Sequence, residues 1–146
     1  MAHAFGKECQ RLLLRAAETA HGMGHEYVGT EPILLAVLDE RSDALARLWS
    51  QTRVDPVVIE AEVRDFLKPS GPPVHGRTVE LTPPARECLD LARQEADALG
   101  QPEVRAEHLV LGMLRQGEGG IGVSGVILAR QGMDLNLARA AVRSAS

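Results

Sequence analysis

Aromatic side chains make up only 3% of this chain, and its 45% apolar content is mostly Leu, Ala and Val. That balance disfavours a β-sandwich and favours helices meeting closely through small side chains. Cysteine is nearly absent. Cys9 and Cys88 stand alone, with no second cysteine or histidine at zinc-finger spacing. They are expected to be free thiols in or near a core, not a disulfide or a structural metal site. No excess of positive charge exists: the formal net charge is −4 and the pI near 5.7, which gives no electrostatic footprint for nucleic acid. Apolar runs such as Ile33 to Leu38 are too short to span a bilayer. Met1 to Glu8 lacks the basic and apolar regions of a signal peptide, so a cytoplasmic protein without membrane partners is expected. These 146 residues contain no G-x-x-x-x-G-K-[ST] phosphate loop, so no ATPase module is expected within them.

What the chain does contain is a duplication. Displaced by 76 positions, the sequence pairs Leu13 with Leu89, Ala16 with Ala92, Ala20 with Ala96 and Gly24 with Gly100. The same register aligns Val28 with Val104, Glu31 with Glu107, Leu35 with Leu111 and Leu38 with Leu114. Glutamate is the only polar identity in that stretch. A repeated helical core explains the others without it.

The first copy is expected over residues 5–67 and the second over 81–145, joined by an irregular Pro/Gly-rich linker over 68–80. Within the first copy, Leu12, Leu13, Ala16, Ala17 and Ala20 have helical spacing, ending at Gly22 and Gly24. Thr30 reads as the N-cap of a second helix, with Glu31 and Pro32 in its first turn. Ser42 caps a third, carrying Leu45, Leu48 and Trp49. Asp55-Pro56 starts a fourth, with Val58, Ile59, Val63, Phe66 and Leu67 inward. In the second copy, Thr82-Pro83 opens a helix that Gly100 closes, and Glu107 to Arg115 forms the next. Gly117 to Gly120 should be a flexible connection to a helix over Val123 to Arg130, and Asp134 caps the last. Each copy alone leaves an apolar face open. The fold class is therefore all-α, eight helices in two pseudo-twofold-related four-helix repeats forming a single domain.

Glu31, Leu35 and Leu38 share one helical stripe, as do Glu107, Leu111 and Leu114. The plainer explanation is a macrodipole contribution from an acid in the first turn, about 0.3–1 kcal/mol. The sharper one is a pair of pockets. A carboxylate beside exposed helix N–H groups suits a ligand that carries both a guanidinium and an anion.

The segments Gly24-His-Glu-Tyr-Val-Gly-Thr-Glu-Pro-Ile-Leu-Leu35 and Leu99-Gly-Gln-Pro-Glu-Val-Arg-Ala-Glu-His-Leu-Val-Leu-Gly112 resemble the duplicated N-terminal repeat of Clp-family unfoldases, most closely the ClpC type. Leu81-Thr-Pro-Pro-Ala-Arg86 resembles the opening of that family's second repeat. The resemblance covers nearly the whole chain. It implies a non-enzymatic domain that binds substrate proteins, peptides or adaptor proteins, with phosphoarginine-like groups held at Glu31 and Glu107. Thr30 and Thr82 would contribute hydroxyls near the anion. The sequence is either a free-standing homologue or a piece of a larger unfoldase; its divergent pockets favour the free-standing case, which could sequester ligands of the full unfoldase, macrocyclic peptides among them. The alternative is a structural or regulatory subunit docking on a Clp ATPase/protease complex with no ligand pocket.

Departures from the family pattern cluster at the acids. Pro32 replaces a histidine that His108 retains, Arg105-Ala106 replaces Gly-Thr, Gly6 replaces a threonine that Thr82 retains, and Leu81 replaces an aromatic. Each pocket keeps its acid but loses part of its polar lining. No catalytic residue, cofactor or metal is expected. His21, His25 and Glu18 superficially suggest a metal-binding helix, but Gly22 and Gly24 should end that helix first. His3 and His75 read as solvated, His108 as a helix-start hydrogen-bonding group and Trp49 as core.

Overall fold

A computed structural model describes residues 4–76 and 78–144 of the chain. His3 and Ala145, both assigned from sequence, lie outside the described residues. The chain order is β1 (Ala4–Phe5), α1 (Lys7–Gly22), α2 (Thr30–Asp39), α3 (Asp43–Thr52), α4 (Pro56–Phe66), α5 (Pro83–Ala98), β2 (Glu103–Val104), α6 (Ala106–Glu118), α7 (Val123–Arg130) and α8 (Leu135–Ser144). Eight helices among the described residues form two four-helix repeats, as the duplicated pattern implies.

The centre belongs to α2 and α6. Pro32 through Val37 are all buried, and so is every residue from Ala106 to Leu114. A helix that is apolar on every side must be enclosed by its neighbours. Around them, α1 packs on α2, α5 on α6, and α6 on α7. The repeats are joined by α3 against α8 and α4 against α7, contacts that exchange under the pseudo-twofold.

Sequence gave no sign of the two short parallel pairings at the repeat junctions. Phe5 pairs with Val104 between β1 and β2, and Val28 pairs with Leu81 in the equivalent place. The Gly6 N–H donates to the Val104 carbonyl at 3.1 Å, and the Thr82 N–H to the Val28 carbonyl at 3.0 Å. Each pairing crosses from one repeat to the other. The start of α1 is thereby tied to the start of α6, and the start of α5 to the start of α2.

Caps appear where side chains can supply them. Ser42 Oγ accepts from the Leu45 N–H, Asp55 Oδ1 from Val57, Thr82 Oγ1 from Ala85 and Asp134 Oδ2 from Leu137. Each such cap is worth about 1 kcal/mol.

Three expectations need correction. Gly29, not Thr30, is the N-cap of α2; Thr30 is the first helical residue and is itself buried. Val58 and Phe66 are exposed, because α4 meets the core along the narrower stripe of Ile59 and Val63. The sixth helix runs on through Gly117 and Glu118 instead of ending at Arg115. Gly117 is needed there for close approach: a β-carbon on it would lie 2.3 Å from the Gly125 carbonyl oxygen. One on Gly125 would lie 2.0 Å from the Met113 carbonyl oxygen, so α6 and α7 cross backbone to backbone.

Candidate functional site

Glu31 and Glu107 occupy the second position of α2 and α6, the two central helices, so burial of those helices draws both acids inward. Glu107 is only 5% exposed, whereas Glu31 is half-buried. The pairings described above bring a second helix start beside each acid.

At the first acid, a β-carbon on Gly29 would lie 3.4 Å from Glu31 Oε2 and 4.0 Å from Thr82 Oγ1. Glu31 and Thr82, from opposite repeats, thus flank one glycine. The Thr30 hydroxyl donates to Glu31 Oε1 at 3.2 Å, and no cation among the described residues pairs with this carboxylate. Gly29 supplies no side-chain cap to α2. A 750 Å³ surface hollow adjoins, lined by Tyr27, Val79, Thr82 and Arg86 among others. Thr82 is on its wall; Glu31 is not.

The second acid stands on the wall of a 540 Å³ cavity that Gln101, Glu103, Arg105 and His108 also line. Its Oε1 has no hydrogen-bond partner. Arg105 Nε lies 3.7 Å from Oε2, too long for a hydrogen bond but within ion-pair range. Burial pushes the Glu107 carboxyl above its ordinary pKa, opposed in part by its backbone hydrogen bond and by Arg105. Arg105 also reaches Glu103 Oε1 at 3.2 Å and Glu8 Oε2 at 3.3 Å. Glu8 Oε1 in turn accepts from the Ala106 N–H, at the first residue of α6, at 3.3 Å.

His108 fixes this helix start. Its Nδ1 accepts from the Arg105 N–H at 2.8 Å, so the neutral ring carries its proton on Nε2 and donates to Gln101 Oε1. Gln101 Nε2 passes the chain on to the Val142 carbonyl in α8 at 3.2 Å. Pro32 makes no equivalent in the first repeat.

Of the four residues singled out from sequence, Glu31, Thr30 and Thr82 come together at one site. Glu107 stands at the other. Thr30 orients Glu31 from a buried position, and the Thr82 hydroxyl accepts from the Ala85 N–H. Sequence reasoning missed Glu8, Glu103 and Gln101, and noted Arg105 only as a departure from the family pattern. One available signal was the placement of Arg105 between acids at 103 and 107.

The other candidates resolve simply. Cys9 and Cys88 are buried free thiols, each pushed up to about 12, chiefly by burial. α1 ends at Gly22, leaving His25 outside it to meet the Lys68 carbonyl at 2.7 Å. No group of three or more metal-ligating side chains occurs among the described residues. Trp49 packs in the core at 9% exposure, and His75 is exposed.

The model of the Clp repeat (R) N-terminal domain matches residues 4–126 and 80–145. The chain belongs to this family. It is 32% identical over 135 residues to the chaperone protein ClpB of Oceanobacillus iheyensis, covering 92% of this chain and 16% of that one. It is 33% identical, with the same coverage, to the negative regulator of genetic competence ClpC/MecB of Bacillus subtilis. The N-domain of ClpV from Vibrio cholerae has the same fold, with a TM-score of 0.77 at 20% identity over 97% of this chain and 86% of that one. The chain thus spans about one sixth of the length of these curated relatives. No helix among the described residues is long and apolar enough to cross a membrane.

Proposed function

We propose that this chain is a non-enzymatic recognition module. It binds a protein or peptide, as substrate or adaptor of a Clp unfoldase, through groups that join a guanidinium to an anion. Phosphoarginine is the simplest such group.

One observation carries this reading. The second site already displays both halves of such recognition with the chain's own groups. A guanidinium, that of Arg105, sits among the carboxylates of Glu8, Glu103 and Glu107, and a carboxylate, that of Glu8, sits on the first N–H of α6. Charge-assisted contacts of this kind are roughly twice as strong as neutral ones. The first site has the same crossed helix starts, with no charged side chain on its acid or helix start among the described residues. Glu31 offers the acid, Thr30 holds it in place, and the uncapped first turn of α2 offers N–H groups to an anion. Tyr27 and Val79 on the adjoining hollow add apolar surface for the flanking peptide.

The test is calorimetric titration with phosphoarginine. Binding is expected for the wild type, and its loss in the Glu31→Ala, Glu107→Ala double variant with the helical circular dichroism unchanged. Equal affinity in the double variant would remove the acids from recognition.

A further inference from the structure

The two sites share one plan, but their occupancy differs. At the first, neither the acid nor the helix start is engaged by a charged side chain among the described residues. At the second, both are. Aligned by the repeat register, Arg105 stands where the first repeat has Gly29, and Glu8 at the start of α1 stands where α5 has Pro84. The chain therefore carries a cation and an anion at the second site that the first lacks.

We propose that the second pocket is closed by the chain's own side chains, with Arg105 in the place of a guest's guanidinium and Glu8 in the place of its phosphate. This inference rests on the recognition reading above and adds that the two pockets are not equivalent. Three carboxylates surround one guanidinium, so Arg105 is held electrostatically in place. The fit is nonetheless incomplete: Glu107 stands on the wall of a 540 Å³ cavity, and its buried Oε1 has no donor. A buried carboxylate oxygen without a donor, on a residue that lines a cavity, leaves a polar demand that the chain's own groups do not meet. Glu8 also sets its own charge against an incoming phosphate at the one N–H of α6 it occupies. Gly6 contributes to the obstruction. A β-carbon there would lie 3.0 Å from the Glu103 carboxylate, so the absence of a side chain at residue 6 lets Glu103 lean in beside Arg105.

The consequence is stoichiometry. Wild-type protein should bind one phosphoarginine per chain, lost in Glu31→Ala and unaffected in Glu107→Ala. The Arg105→Gly, Glu8→Ala variant should bind two, and the added site should weaken at least tenfold on further Glu107→Ala substitution. Arg105→Gly alone provides the same test, should the double change disturb folding: it should also add a Glu107-dependent site. Two sites in the wild type, or wild-type binding that depends on Glu107, would overturn the closure while leaving the recognition reading intact. One site in every opened variant would do the same. Binding by no variant at all would remove both.

Discussion

Glu95 holds Arg139 through both carboxylate oxygens, at 2.7 and 2.8 Å, from a position on α5 that is only 3% exposed. Arg115 reaches the same carboxylate from α6 at 3.4 Å. One acid thus ties together α5, α6 and α8, and Arg139 is held above its ordinary pKa chiefly by its hydrogen bonds to Glu95. Both arginines keep about a third of their surface in water, which limits the cost of stranding them. Glu95→Ala should lower stability by about 1–3 kcal/mol, the range for losing hydrogen bonds to charged groups. Urea unfolding checks this, and an unchanged midpoint would show the triad to be ornamental.

Glu107 predicts a pH dependence of stability. Its folded-state pKa is raised, so the folded protein holds this proton more tightly than the unfolded chain does. Its contribution to stability is present below the unfolded value, about 4.3, and is lost as pH rises through the folded one. Glu107→Gln should therefore melt higher than wild type at pH 7, with the difference narrowing as the pH falls below about 4. Paired thermal melts at the two pH values test the sign.

The thiols predict silence. With both pushed up to about 12 by burial, Cys9 and Cys88 hold almost no thiolate at pH 8. Ellman's reagent should find no fast-reacting thiol in the native protein and two in urea. A rapid native reaction would instead expose a thiol and reopen a nucleophilic role.

Much of the fold was legible because its signals are local. Ser42, Asp55, Thr82 and Asp134 each cap the helix that follows, a role written in the side chain and the next three residues. Where the deciding contact is distant, the sequence misleads. Gly117 reads as a breaker, yet it lies within a helix because Gly125 presses against it. Gly29 has no side chain to advertise a cap, and Thr30 beside it looked the better candidate. The acids at 31 and 107 stood out because duplication made them stand out. Glu8 did not, since its partner Arg105 lies 97 residues away and is brought beside it by the fold, through the β1–β2 pairing. The symmetry carried only part of the way: the repeat puts an acid in each copy, whereas Gly29 and Arg105 differ beside them.

The crossed pairings, Phe5 with Val104 and Val28 with Leu81, make both proposed recognition sites joint property of the two halves. Severing the polypeptide within 68–80 would leave each fragment with one half of either site and neither with a whole one. A bound guest would then act as a clasp across the seam, stabilising the reassembled pair by an amount that grows with the logarithm of guest concentration. By the same logic, a single ancestral repeat could have gained such a site only by associating with its twin.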